Sequence, residues 1–127
     1  MKKVMVFGIF DGLHAHHRAM LEEACAYGDH LAVVVPQDHI VEHITGKLPE
    51  INLAARFDEL KAYDKVDEVI IGDAEMAAWR VVKRFQPDVV CFAPDQELLL
   101  RDLEMHKNEL GYDVQIIRLT AKETSSQ

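Results

Sequence analysis

The sequence predicts an α/β fold: a Rossmann-like, doubly wound sheet of five parallel strands in the order 3-2-1-4-5, with helices on both faces. Three observations carry this. Five short, nearly all-apolar runs recur along the chain, the look of strands buried on both sides. Segments with helical periodicity lie between them, which means βαβ units and a parallel sheet. Crossovers in such units are right-handed, which favours double winding. With no internal repeat, low-complexity segment or long linker, residues 1–127 read as a single domain.

The first strand covers residues 3–8 and ends at Gly8. A helix follows over 15–27, with Met20, Leu21, Ala24 and Cys25 as its apolar stripe and Gly28 at the left-handed cap position. The second strand is 30–36. A short helix over 38–44 leads to a loop with Gly46, Lys47 and Pro49. A helix over 52–63 shows Leu53, Phe57 and Leu60 on one face, and the third strand is 68–72. Asp73 reads as the cap of the next helix, whose stripe is Ala78, Val81, Val82 and Phe85, with Pro87 past its end. The fourth strand is 88–93. The turn Pro94-Asp95-Gln96 opens a helix that runs to about Leu110 and stops at Gly111, before the fifth strand at 114–118.

Composition narrows the function. A net charge of −8 argues against a general nucleic-acid binder, which needs a basic face. No apolar run reaches membrane-spanning length, and Lys2-Lys3 pass into a strand with no cleavable apolar region. The two cysteines, Cys25 and Cys91, read as reduced core residues. The expectation is a cytoplasmic protein without nucleic-acid or membrane partners.

The chemistry concentrates in Gly8-Ile9-Phe10-Asp11-Gly12-Leu13-His14-Ala15-His16-His17. A strand breaks at two glycines and runs into a helix whose start carries His14 and His17, three apart and so on one helix face. A helix N-terminus offers unbonded N–H groups and a positive dipole end, both favourable to phosphate. In sheets of this order, ligands bind where strand order reverses, between the first and fourth strands. The ends of those strands carry residues 8–17 and 93–96, so topology alone places both stretches in one crevice.

This stretch resembles the G-[TI]-F-D-x-x-H-x-G-H signature of the HIGH-superfamily nucleotidyltransferases, with His16 where the signature has glycine. The resemblance implies that Gly8, Ile9, Phe10, Asp11, His14, His16 and His17 line a nucleotide site. His14 and His17 then stabilise charge that builds on the transferring and leaving phosphates. Asp11 holds the loop or orients a partner rather than reacting. His16 adds bulk where glycine lets a nucleotide approach the backbone: it turns aside, stacks on the base or blocks it.

Gly46-Lys47-Leu48-Pro49 and Arg56 resemble the family's basic loop and following arginine, which implies phosphate contacts from Lys47 and Arg56. Ordinary surface charge explains them equally well. Ala93-Pro94-Asp95-Gln96 is similar to the G-P-D-Q turn of archaeal-type FAD synthases, itself akin to the G-D-D-W turn of glycerol-3-phosphate cytidylyltransferases. That would turn Asp95 toward nucleotide or acceptor, although a plain turn with a helix cap fits as well. Thr124-Ser125-Ser126 resembles the I-S-[ST]-[ST] triphosphate motif, yet no helix follows it before Gln127, and a polar tail is an equal reading. His39-Ile-Val-Glu42-His43 matches a metallopeptidase pattern but lacks the further ligand and scaffold, so no protein metal site is expected.

The implied reaction joins a nucleoside monophosphate from ATP or CTP to a phosphorylated small molecule and releases pyrophosphate, with Mg2+ arriving on the triphosphate. The Asp95-Gln96 turn leans toward adenylyl transfer to FMN, with cytidylyl transfer to glycerol phosphate next. The resemblance also carries a possible homodimer. The alternatives are a nucleotide-binding relative without turnover and, more distantly, a structural module.

Overall fold

The computed structural model describes residues 1–120. The element order is β1 (Lys3–Phe7), α1 (Ala15–Cys25), β2 (His30–Val35), α2 (Asp38–Thr45), α3 (Leu53–Lys61), β3 (Glu68–Ile71), α4 (Arg80–Phe85), β4 (Val89–Phe92), a 3₁₀ turn (Pro94–Gln96), α5 (Glu97–His106), a second 3₁₀ turn (Lys107–Leu110) and β5 (Gln115–Arg118). The five strands form one sheet in the order β3-β2-β1-β4-β5, every pair parallel. This is the expected topology.

The central strands are buried on both faces, which is why their sequences show no alternation. Val4, Val6, Leu31, Val33 and Cys91 face one core with Met20, Leu21 and Ala24 of α1 and Leu60 of α3. Met5, Val34, Val90 and Phe92 face the other, with Val81 and Val82 of α4 and Leu100 and Leu103 of α5. Burial pushes the Cys91 thiol up to about 12, so it stays a neutral packing group.

Three local expectations are corrected. Helix α1 ends at Cys25, and Gly28 is not left-handed. Glycine is needed there because a Cβ would lie 2.6 Å from Val4 Cγ2 and 2.7 Å from the Lys2 carbonyl. On α3 the buried residues are Arg56 and Leu60, and Phe57 is only half-buried. Helix α4 begins seven residues after Asp73. That carboxylate still accepts the Arg80 N–H at 2.8 Å, but the N-cap is Trp79, in the left-handed region at φ 59°. The intervening backbone is irregular, so the apolar spacing from Ala78 onward gains helical meaning only at Arg80.

Candidate active site

The loop after β1 turns sharply because three residues allow it. Phe10 takes φ 54° and buries its ring, and Gly12 takes φ 93°. Gly8 leaves room for that ring, since a Cβ there would lie 2.8 Å from Phe10 Cε2. A Cβ on Gly12 would lie 2.8 Å from His14 Nε2. His14 is the N-cap of α1, in extended conformation, and its side chain is exposed.

His17 does more than share a face with His14. Its Nδ1 accepts the His14 backbone N–H at 3.1 Å, the return half of a capping box with imidazole in place of a carboxylate. In a neutral ring this leaves the proton on Nε2, which makes Nε2 a donor for an anion. The three imidazoles form one group. The His16 ring lies 4.0 Å from that of His17, and those of His14 and His17 lie 5.5 Å apart. His16 is also nearly parallel to His14, at 6.0 Å and 9°. The histidine in the glycine position therefore packs among its neighbours, half-buried.

The loop over 46–52 is tied to this one by two residues, Asp11 and Arg56, of which Arg56 has a role different from that expected. Asp11 Oδ2 accepts the Glu50 N–H at 2.9 Å and Oδ1 the Ile51 N–H at 2.8 Å. Both oxygens thus anchor the loop that carries Lys47. Arg56 is fully buried. Its guanidinium donates to the carbonyls of Ile51 at 2.9 Å and Ile9 at 3.2 Å and to Asp38 Oδ1 at 2.7 Å. An arginine so enclosed does not clamp a phosphate; it joins α2, α3 and the motif loop. Phe10, likewise, is a core residue whose ring lies 5.4 Å from that of His17. Lys47 is exposed and follows Gly46, the left-handed cap of α2 at φ 89°.

The Pro94–Gln96 turn is joined to the end of β1 through the Ala93 N–H, which donates to the Phe7 carbonyl at 3.0 Å. Asp95 is exposed there, while Gln96 is buried. Arg118 is bidentate on Glu97, at 2.7 and 2.6 Å. The stretch Thr124-Ser125-Ser126 lies outside the described residues. Among the described residues no helix is long and apolar enough to cross a membrane, and no cluster of three or more His, Cys, Asp or Glu side chains is placed to hold a metal.

Sequence reasoning missed Trp79 and Gln96. Trp79 is buried at the start of α4, and its Nε1 donates to Asp102 Oδ2 at 2.7 Å. It is the only tryptophan of the chain, placed between two apolar segments, and that was the one signal available.

A parallel sheet with its reversal between β1 and β4, and an imidazole pair on a helix start at that reversal, is the arrangement of the Rossmann-like nucleotidyltransferases whose signature the sequence resembles. The comparisons place it further: the profile of the cytidylyltransferase-like family matches residues 5–126, and the chain belongs to that family. It is 39% identical to an FAD synthase of Pyrococcus horikoshii over 92% of this chain and 79% of that one. It is 33% identical to the FAD synthase of Ferroglobus placidus over 97% and 79%. Among solved structures it is similar to a lipopolysaccharide core biosynthesis protein of Thermoplasma volcanium, with a TM-score of 0.88 at 31% identity, covering 97% and 99% of the two chains. A protein of unknown function from Archaeoglobus fulgidus shares the fold, with a TM-score of 0.77 at 17% identity over 100% and 95%.

Proposed function

We propose that this enzyme transfers the adenylyl group of ATP to FMN. The observation that carries this reading is the similarity to FAD synthases over more than nine-tenths of the chain. A phosphate oxygen of FMN attacks the α-phosphorus of ATP in line. The bond from that phosphorus to the oxygen bridging to the β-phosphate breaks, and pyrophosphate leaves. His17 Nε2–H and the His14 imidazole donate to the phosphate oxygens as charge builds on them. Lys47 reaches the triphosphate from its exposed loop, and Asp11 and Arg56 hold that loop and the motif loop in register. Asp95, beside the crevice, turns toward nucleotide or acceptor, and Thr124, Ser125 and Ser126 add hydroxyl contacts to the triphosphate.

Magnesium enters on the triphosphate as part of the substrate and neutralises its oxygens. The described carboxylates suit this, since both oxygens of Asp11 already accept backbone N–H groups. On this reading the enzyme works in the cytoplasm, where ATP and FMN are both at hand. The assembly proposed with this reading is a homodimer, for which light scattering is expected to give twice the 14.5 kDa chain mass.

The test is pyrophosphate release with magnesium, crossing ATP and CTP against FMN and glycerol 3-phosphate. Release with ATP and FMN alone is the expected result. Release only with CTP and glycerol 3-phosphate refutes it. The His16 ring packed on His17 favours one second reading, a nucleotide binder without turnover. In that case every mixture is silent, and His16→Gly raises nucleotide affinity.

A further inference from the structure

His16 stands where the nucleotidyltransferase signature has glycine, and the structure shows where its ring goes. It is the second residue of α1, four before Met20, and His17 is four before Leu21. Residues four apart share a helix face. Both imidazoles therefore lie at the start of the face that α1 buries, whereas His14 is exposed.

Consecutive residues of a helix point about 100° apart and do not ordinarily face each other. The rings of His16 and His17 are nevertheless in contact, with centroids 4.0 Å apart, so the two side chains turn toward one another. The His16 Nδ1 is enclosed within the protein, and that nitrogen is not offered to a ligand. The His14 N–H fixes one atom of the His17 ring, through Nδ1. Ring contacts fix its tilt: Phe10, buried, at 5.4 Å and 53°, and His16, nearer, at 39°. A glycine has no side chain to supply the nearer contact.

Contact so close either disables His17 or holds it. The capping bond favours holding. With His16 in place, Nδ1 still accepts the His14 N–H, and the neutral ring keeps its proton on Nε2. We infer that His16 is a positioning residue, whose ring packs on the His17 imidazole and holds Nε2–H in the direction that the reacting phosphates require. The inference rests on the transfer proposed above, in which that N–H donates to the phosphates, and it gives the imidazole at the glycine position a task in the reaction. Such a donor acts by being in place before charge develops, and a misplacement of about 1 Å can cost a hundredfold in rate.

The experiment compares wild type with His16→Ala and His16→Phe. Alanine removes the ring and keeps the helix propensity of the first turn; phenylalanine keeps a planar ring without nitrogen. The rate of FAD formation and KM for ATP are measured at saturating FMN. His16→Ala is expected to lower kcat at least tenfold with KM for ATP within twofold, the pattern of an interaction that matters only in the transition state. His16→Phe is expected to recover kcat to within threefold of wild type. An unchanged or raised kcat in His16→Ala overturns the inference. So does a loss that His16→Phe shares, which would make a His16 N–H itself the donor. A second readout needs no turnover. Two-bond proton–nitrogen NMR in alkaline buffer, where imidazoles are neutral, reports the His17 tautomer, its signals identified by their absence from His17→Ala. Wild type and His16→Phe are expected to carry the proton on Nε2, and His16→Ala to show a mixture of tautomers. If wild type makes no FAD, the transfer to FMN fails by itself and the spectra decide. A mixture in His16→Ala then upholds the hold on His17, and a tautomer unchanged from wild type overturns it.

Discussion

Two stretches leave the ends of parallel strands, and they are built on different principles. Residues 8–17 leave β1 and pass at once into α1; residues 72–79 leave β3 and reach α4 only after an irregular path. Each begins at a glycine, and each contains a non-glycine residue with positive φ. In the first, chemistry lies in side-chain types at fixed spacing, with His14 and His17 linked by a capping bond. The second is set by its shape, held by Gln37, His39 and Asp102 from elsewhere in the chain. Local conformation can thus be written in the sequence as a motif in one stretch and as tertiary restraint in the other.

The comparison breaks most sharply at His17. On the proposed mechanism, His17→Ala removes a donor to developing phosphate charge, and such losses cost about a hundred- to a thousandfold in kcat. Single-turnover rates are expected to fall by that much, while loss of the bond to the His14 N–H lowers stability by only about 1 kcal/mol. A fall below tenfold would return the catalytic role to His14 alone. Arg56→Met should behave in the opposite way. It leaves two carbonyls and the partly exposed Asp38 carboxylate without their donor, and an acceptor left unsatisfied in the interior costs about 1–3 kcal/mol. Urea unfolding is therefore expected to show the main effect, with loss of activity following loss of fold. A variant with wild-type stability and a raised KM for ATP would instead make Arg56 a phosphate ligand.

This contrast also explains what the sequence made legible. The sheet order followed from five apolar runs and the handedness of crossovers, neither of which depends on detail. The histidine pair followed because residues three apart on a helix start share a direction. Arg56 was misread because residue type and spacing cannot show burial: the side chain that looks like a phosphate clamp is enclosed by Ile9, Asp38 and Ile51. Residues 73–79 were read as helix because Ala78, Val81, Val82 and Phe85 have helical spacing. The bond from the Arg80 N–H to the Asp73 carboxylate, seven residues back, and the left-handed Trp79 are tertiary facts that no local pattern records.

A smaller effect tests whether the second stretch is strained. Ala77 sits at φ 54°, a region that disfavours a Cβ by about 1–2 kcal/mol. Glycine removes that cost but loosens the unfolded chain, so Ala77→Gly is expected to stabilise by less than about 1 kcal/mol. The urea midpoint reads it at an unchanged m-value. A destabilised variant would show that the Ala77 methyl packs well enough to outweigh its backbone.

The smallest expected effect belongs to a tie that neither stretch uses. Glu97 opens α5 beside the Pro94–Gln96 turn and bonds Arg118 of β5 and Arg101 one turn on. The hydrogen bonds from Arg118 and then Arg101 hold its carboxyl down at about 2, against an ordinary value of 4.5. A carboxyl depressed in the folded state stabilises above its unfolded pKa and ceases to do so as pH falls through the folded one. The contribution is thus complete above about pH 5 and lost by about pH 2. Because all three side chains meet solvent, salt should weaken it as well. Denaturation midpoints of wild type and Glu97→Gln are expected to differ at pH 7 and to converge as the pH is lowered toward 2. The buried Arg56 network differs in kind, since its hydrogen bonds to carbonyls do not titrate: Arg56→Met should stay destabilised at both ends of that range. A gap for Glu97→Gln that is constant with pH would mean that Glu97 holds β5 to α5 by packing rather than by charge.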